Sequence, residues 1–319
     1  MKKFFSILIT VIILSGAVSY PASQEEVNDP DYYRKLNESE KRLQEFRDND
    51  AMLMVKLKQV EIINKSRAKY KAGPVKLDIL ASRVANRQCR EAAEKGYLSH
   101  WNLEGEKPYV RYAIAGGYDH VSENAYSRGS TEDFGTTPDA VADLMKDGHE
   151  SFMREKAPYD GHKKNDINKS HNFVGLGCYV SGGEFRYNEE FIDRYIDFIE
   201  VPSELHKGEK GNITIDTRGR SFLYFMTIYR EDIPKPMSIN QLSHTGSYSD
   251  YTDEVVLNSA PWDLIKYRSG STYRIPVSFS KPGLYYIQLF TDKKEYTGYG
   301  SVTTEGRDPV SGIVIKVTR

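Results

Sequence analysis

The sequence predicts an α+β protein in which a region of mixed helices and strands, up to about residue 200, precedes an all-β, immunoglobulin-like sandwich. Apolar residues recur at helical spacing as far as residue 153. Beyond residue 202 the pattern changes to short runs rich in β-branched and aromatic residues, separated by Gly, Pro and Asp. This spacing is typical of a β-sandwich. The runs are 213–215, 222–229, 255–257, 273–279, 284–290 and 313–317.

Composition limits what the chain can be. Its 319 residues, 28% charged and 39% hydrophobic, suffice for two domains plus extensions. The formal net charge of −1 gives no global electrostatic field. We therefore expect no nucleic-acid partner and no strongly basic membrane-binding surface.

The N-terminus has the pattern of a secretory signal peptide. Two lysines precede an apolar run from Phe4 to Leu14, and the small residues Ala17 and Ser19 suit a signal-peptidase cut. We expect residues 1–19 to be removed and the protein to be secreted or otherwise extracytoplasmic. An uncleaved anchor is the alternative, because a Tyr-Pro pair follows the cut. Nothing later in the sequence resembles a stable transmembrane span.

Residues 20–57 form a polar extension. They are rich in Glu, Lys, Arg and Asp, with Tyr32, Leu36, Leu43 and Phe46 at near-helical spacing. We interpret this extension as a helical, solvated leader that tethers the following domain and adds nothing to its core.

Three later elements have clear boundary signals. Asp78 is a candidate N-cap for a helix that ends at Gly96. A second helix is predicted from Pro138 to Met153. Strands at 173–180 and 185–187 flank a Gly-Gly pair, which predicts a hairpin.

Histidines and carboxylates concentrate between residues 98 and 200. Imidazole is the commonest metal ligand and titrates nearest neutrality, so this clustering indicates a metal or proton-transfer site. Of these histidines, we expect His120 and His171 to be solvated, because they lie in polar loops. The five are His100, His120, His149, His162 and His171.

Short phrases in a fixed order between residue 62 and about residue 200 carry a family resemblance. The region resembles the CAP superfamily in its bacterial SCP-like form, also known as the cysteine-rich secretory, antigen 5 and pathogenesis-related 1 family. The resemblance implies an α-β-α sandwich over residues 58–200, followed by the β-sandwich at 201–319. The phrases are Ile63-Asn64 with Arg67, Leu77-Asp78, Ser99-His100-Trp101-Asn102, Lys107-Pro108-Tyr109 with Arg111-Tyr112, Ser122-Glu123-Asn124, His149 with Met153, Asp160-Gly161-His162 and Val174-Gly175-Leu176-Gly177.

The resemblance also implies a surface cleft lined by two histidines and two acidic residues. Carried over by position, His100, Glu123 and His162 fill three of these places, and His149 or Glu150 fills the fourth. Such a set suits zinc or another divalent metal, with His100 and His162 as ligands. The same groups can instead satisfy one another through hydrogen bonds without a metal.

The chain has two cysteines, Cys89 in a predicted helix and Cys178 in a predicted strand. In an exported protein such a pair can form a disulfide, which would contribute roughly 3 to 5 kcal/mol. The sequence leaves two readings open, a Cys89–Cys178 bridge or two buried free thiols.

Three functional hypotheses follow. The first is an exported binding or recognition protein whose cleft contacts a lipid, a sterol or a cell-surface partner. The second is a metal-dependent hydrolase of peptides or cell-envelope polymers, with Glu123 or Glu150 as base. The third is adhesion through the β domain. Enzymatic activity is the less favoured reading, because His149-Glu150 lacks the second histidine of a zinc-peptidase helix and no Gly-x-Ser-x-Gly occurs.

Overall fold

A computed structural model describes residues 29–248 and 254–319. The predicted signal peptide lies outside these residues. Within them, none of the helices combines the length and the apolar character needed to cross a membrane. The helices are α1 (Pro30–Ser39), α2 (Asp50–Lys69), α3 (Ile79–Lys95), α4 (Pro108–Ile114), α5 (Pro138–Met153), α6 (Gly161–Asp166), α7 (Ile239–Leu242) and α8 (Pro261–Leu264). The strands are β1 (Lys76–Leu77), β2 (His120–Gly129), β3 (Phe173–Ser181), β4 (Glu184–Asp193), β5 (Asp197–Glu200), β6 (Glu204–His206), β7 (Gly211–Asp216), β8 (Phe222–Glu231), β9 (Glu254–Ser259), β10 (Arg268–Ser269), β11 (Thr272–Val277), β12 (Gly283–Asp292) and β13 (Ile313–Thr318).

The first sheet is the middle layer of an α-β-α sandwich, as predicted. Its strand order is β1-β3-β4-β2, with β1 parallel to β3 and the other pairs antiparallel. Helices α2 and α5 share a core with one face, which we call the α2–α5 face. Helices α3 and α4 pack on the opposite, α3–α4 face. Because side chains alternate along a strand, neighbouring residues of β2 and β4 serve different faces.

Helix α3 follows its predicted boundary signals. The Asp78 side chain accepts a hydrogen bond from the Ala81 N–H, and Gly96 ends the helix with φ of 70°. The helix lies very close to β3. A Cβ at Gly177 would come within 2.2 Å of Ala85, so only glycine permits this approach. The predicted helix from Pro138 to Met153 and the hairpin of β3 and β4 are also confirmed.

The prediction of a solvated leader is wrong for residues 29–57. Tyr33 of α1 is 1% exposed and Leu53 of α2 is completely buried, and both belong to the core on the α2–α5 face. Lys56 is also buried, where its ammonium group pairs with Asp48 at 2.6 Å. The extension therefore completes the first domain. Its polar composition concealed this, because apolar positions are few and the buried polar groups are paired internally.

The C-terminal region is the predicted two-sheet sandwich. One sheet has the order β10-β11-β7-β5 and the other has the order β6-β13-β12-β8-β9. The residues of the predicted runs at 213–215, 273–279, 284–290 and 313–317 supply most of the core between them.

The two domains share a hydrophobic cluster. Tyr109 of α4 stacks on Tyr286 of β12 with ring centroids 4.2 Å apart, and Leu284 and Val314 belong to the same cluster. The Gly312 N–H also donates to the Tyr118 carbonyl at 2.8 Å. Separating the domains would expose this apolar surface to water, so the sandwich and the α-β-α layer form one packed unit.

Of the two readings of the cysteine pair, the structure has the free thiols and lacks the Cys89–Cys178 bridge. The alternation of β3 accounts for this. Gly177 lies against α3, whereas Cys178 packs with the core of the α2–α5 face, away from the helix that carries Cys89. Burial raises the pKa of the Cys178 thiol to about 12 and also raises that of Cys89, so neither thiol is activated.

Candidate functional site

His100 and Glu123 meet on the α3–α4 face. His100 follows the end of α3, and Glu123 lies on the edge strand β2. The His100 Nδ1 and Glu123 Oε1 atoms are 2.8 Å apart. The His100 side chain is 16% exposed, whereas the Glu123 side chain is completely buried. This pair is the part of the predicted cleft that the structure brings together.

Donors occupy both oxygens of Glu123. Oε2 accepts from the Arg111 guanidinium at 2.6 Å and from Asn188 Nδ2 at 2.7 Å, while Oε1 faces His100. Burial alone would raise the pKa of Glu123, but Arg111 and His100 outweigh burial and lower the pKa to about 2. Glu123 is therefore ionised, and His100 donates to it through Nδ1–H.

Glu190 lies beside this pair. It is opposite Glu123 in the β2–β4 register, and its side chain is 3.6 Å from Arg111. Burial and the neighbouring Glu123 carboxylate raise the pKa of Glu190 well above its ordinary value. Arg111 thus serves two neighbouring carboxyl groups, of which Glu190 is the more readily protonated.

A segment of the β domain covers His100. The Tyr248 ring lies 4.7 Å from the His100 ring, and its hydroxyl oxygen accepts from the Glu123 N–H at 2.9 Å. Trp101 meets the edge of the same tyrosine at 6.4 Å. The opening of the cleft is therefore shaped by aromatic rings from both domains.

A second polar cluster lies on the α2–α5 face. His149 Nδ1 is 3.0 Å from Glu189 Oε1 and 3.3 Å from Asp166 Oδ1, and His149 Nε2 is 3.0 Å from Ser66 Oγ. Asn124 donates to both Asp166 and Glu189. The three ionisable side chains are almost fully buried, so the cluster ties α2, α5, α6 and β4 together.

The charges in this cluster follow from its burial. Burial alone would lower the pKa of His149, but Glu189 and Asp166 outweigh it and raise the pKa to about 10. Burial and Glu189 raise the pKa of Asp166, whereas His149 lowers that of Glu189 despite its burial. The cluster therefore holds a cationic imidazole beside two carboxyl groups, of which Asp166 is the more readily protonated.

The expectation that His120 and His171 are solvated is wrong. They are 5% and 2% exposed, and each places Nδ1 at 2.8 Å from an oxygen of Asp193. Burial alone would raise the pKa of Asp193, but the two histidines lower it to about 2. The sequence around both histidines is polar, but these polar groups are buried together and hydrogen-bond to one another. Local polarity therefore did not indicate exposure to solvent.

His162 and Glu150 do not join His100 and Glu123. The His162 ring lies 4.9 Å from the Phe152 ring on the α2–α5 side, and its Nδ1 is 2.5 Å from Glu155. Glu150 is 46% exposed on α5, where it pairs with Arg154 at 3.5 Å. The groups expected in one cleft thus lie apart. His100 and Glu123 lie on the α3–α4 face, His162 lies on the other side of the sheet, and Glu150 is exposed to solvent.

Sequence reasoning missed Glu189 and Glu190, which contribute to different sites. They are adjacent on β4 and therefore point to opposite faces. The available signal was an acidic pair inside a strand rich in aromatic residues, where buried carboxylates need partners. The sequence motif Lys107-Pro108-Tyr109 followed by Arg111 likewise marked this arginine without indicating its role as the counter-ion of Glu123.

The two clusters differ in how they suit a metal. A cation at Glu123 would face the Arg111 guanidinium, so this donor set does not fit the proposed zinc site. Among the residues described, ligand atoms within 4.8 Å of one another occur at His149, Asp166 and Glu189. Their identities suit a divalent ion, although the observed hydrogen bonds already engage them.

A family model and several solved structures are similar to part of this chain. The model of the CAP family, described as the cysteine-rich secretory protein family, matches residues 60–191. No curated protein matches the chain. An extracellular protein containing an SCP domain from Bacillus anthracis is 20% identical, with 43% of this chain and 39% of that chain covered and a TM-score of 0.32. The present chain thus spans well under half of that protein.

Two further solved structures are similar. An outer surface protein from Borrelia burgdorferi is 17% identical, with 42% of this chain and 89% of that chain covered and a TM-score of 0.33. A cysteine-rich secretory protein from Staphylococcus aureus is 15% identical, with 43% and 38% covered and a TM-score of 0.27. With the family match and the α-β-α architecture, residues 60–191 of this chain are identified as a CAP domain of the cysteine-rich secretory protein family.

Proposed function

We propose that this protein is an exported CAP-domain recognition protein, in which the cleft at His100 and Glu123 binds a ligand without hydrolysing it. The family match supports the domain type, and the signal-peptide pattern supports export. The β-sandwich shares a core with the CAP domain. Recognition is therefore assigned to the packed unit, and adhesion by an isolated β domain is disfavoured.

The observation that carries this proposal is the complete engagement of Glu123. A general base needs an accessible lone pair and a pKa near the working pH. Glu123 is instead held by Arg111, Asn188 and His100, and its pKa is about 2. Glu150, the other proposed base, lies on the exposed side of α5. A hydrolytic role for either carboxylate therefore has little structural support.

Surface chemistry favours a cell-surface polypeptide over a lipid or sterol. Lipid and sterol sites need mainly apolar walls. Near His100, by contrast, aromatic rings lie beside polar atoms, a combination that suits a polypeptide.

A divalent ion at His149, Asp166 and Glu189 is the second candidate, favoured by the spacing of their ligand atoms. Binding would require His149 to lose a proton, so zinc affinity should rise with pH. If the ion binds there, zinc will raise the melting temperature of the parent but not of a His149→Asn variant. Equal zinc responses in the two proteins would refute this site.

The main test compares the mature chain, residues 20–319, with His100→Ala and with His206→Ala, a control at an exposed histidine outside the cleft and its surroundings. Binding to peptides, vesicles and cell-envelope polymers is measured alongside hydrolysis, with and without chelator. We expect His100→Ala to lose ligand binding and the control to retain it, with no chelator-sensitive hydrolysis in the parent. Hydrolysis that disappears with chelator and with His100→Ala would overturn the proposal.

A further inference from the structure

One segment of the β domain reaches across the CAP domain. Residues 235–248, which we call the strap, belong to the connection between β8 and β9. These strands are antiparallel neighbours, and about two to five residues normally connect such a pair. Here the connection comprises residues 232–253. Its length is explained by what the strap contacts.

The first contact is an apolar pocket beside the cleft. Leu242 is completely buried in a cluster with Ala92 and Tyr97, and Trp101 and Leu103 pack against this cluster. The Met237 N–H donates to the Leu103 carbonyl at 2.7 Å. The strap backbone also passes so close to Gly105 that a Cβ there would lie 2.4 Å from the Lys235 carbonyl oxygen.

The second contact is the cleft itself. The Thr245 and Ser99 hydroxyl oxygens are 2.6 Å apart, and the Tyr248 hydroxyl accepts from the Glu123 backbone N–H. The Tyr248 ring covers His100. The strap thus uses an apolar anchor, two hydroxyl contacts and one aromatic ring, as a bound peptide would.

The composition of the strap specifies the chemistry that this surface accepts. Residues 236–248 contain no Asp, Glu, Lys or Arg, although 28% of the whole chain is charged. The short turn α7 is closed by a capping box between Ser238 and Gln241. Five residues separate the leucine anchor from the tyrosine that reaches His100. The surface therefore suits an uncharged polypeptide with that pattern.

We propose that the pocket and cleft form a binding site for uncharged polypeptide segments with an apolar anchor followed by a tyrosine, and that the strap occupies this site as an intramolecular competitor. This inference rests on the proposed recognition function and names its ligand class. A tethered competitor acts at an effective concentration of about 1 mM. If its intrinsic affinity is about 10 to 100 μM, the site is open in roughly 1 to 10% of molecules, which weakens external binding about 10- to 100-fold.

The test releases the strap within the full mature chain. Leu242→Asp places a charge in the buried pocket, and Ile239→Asp is the matched control because Ile239 is already 43% exposed on the same turn. The probe is a fluorescent peptide of residues 235–248, with a second peptide carrying Leu242→Asp and Tyr248→Ala. Binding is measured by fluorescence anisotropy, and circular dichroism reports folding.

We expect Leu242→Asp to bind the native peptide at least tenfold more tightly than the parent or Ile239→Asp, and not to bind the altered peptide. A folded Leu242→Asp protein that binds neither peptide would overturn the inference. Should Leu242→Asp fail to fold, Thr245→Ala with Tyr248→Phe weakens the strap while retaining the leucine anchor. Peptide affinity unchanged from the parent in this double variant would also overturn it.

The outcomes separate this inference from the proposed function. If the released cleft binds vesicles or envelope polymers in a His100-dependent manner but not the peptide, recognition at the cleft stands and the peptide assignment fails. If the released cleft instead hydrolyses the peptide and chelator abolishes this, the proposed function fails as well.

Discussion

The buried imidazole of His149 makes the stability of the CAP domain depend on pH. Its pKa is raised from 6.5 to about 10 in the folded protein. A histidine whose pKa is raised on folding stabilises the fold fully at pH values below its pKa in the unfolded state. This stabilisation is lost as the pH rises through the pKa of the folded state. The predicted loss therefore falls between about pH 6.5 and 10.

The magnitude follows from the same two values. At about 1.4 kcal/mol for each pH unit, the protonated imidazole contributes roughly 5 kcal/mol at pH 6. This is a large share of a typical unfolding free energy of about 5 to 15 kcal/mol. The effect should be lost in His149→Asn, whose amide can still donate to Glu189 but cannot take up a proton.

The assay is urea unfolding at several pH values from 6 to 10. The chain has two tryptophans, so Trp262→Phe leaves Trp101 as the fluorescent reporter of the CAP domain. In this background, the unfolding free energies of the parent and of His149→Asn should converge by about 5 kcal/mol as pH rises. A constant difference across this range would refute the assignment of a buried cationic imidazole.

Three further predictions concern the other buried groups. Arg111→Met should destabilise the protein by about 3 to 5 kcal/mol in chemical unfolding, because it leaves Glu123 buried without its cation, whereas the exposed Arg154→Met should change stability by less than about 0.5 kcal/mol. On acidification, the contribution of Glu123 is present above its unfolded pKa near 4.5 and is lost as pH falls towards about 2; Glu123→Gln should flatten the acid unfolding curve in this window. Cys89 and Cys178 should not react with a thiol reagent in the native protein but should both react after unfolding, and reductant should leave the melting temperature unchanged.

Each of these predictions has a contrary outcome. A loss of under 1 kcal/mol for Arg111→Met would mean that Glu123 does not need this counter-ion. If Glu123→Gln has the same acid transition as the parent, Glu123 is not an ionised group that stabilises the folded protein. A lower melting temperature in reductant would show that Cys89 and Cys178 form a disulfide, contrary to the structure.

The local fold could be read from the sequence where a few residues decide the backbone. The Asp78 cap, the Gly96 stop and the Gly-Gly hairpin each act within one turn of chain. The packing of the polar extension could not be read in this way. Lys56 is buried only because Asp48 and Asn86 lie next to it in the folded chain, a pairing that residue spacing does not reveal.

The candidate site was predictable only in part. The order of motifs identified His100 and Glu123, which do meet. Which other groups join them depends on the face to which each residue points, and His162 lies on the other side with Glu155. The strap was beyond sequence reasoning, because its contacts join residues more than a hundred positions apart.

The central claim is that His100 and Glu123 form a closed recognition site with no role as a metal centre. Zinc content measured after equilibration with zinc buffers, for the mature chain and for His100→Ala, tests it most directly. We predict that the two proteins retain the same amount of zinc, whatever His149 and its neighbours bind. One equivalent of zinc in the parent that is lost in a folded His100→Ala variant would contradict the account.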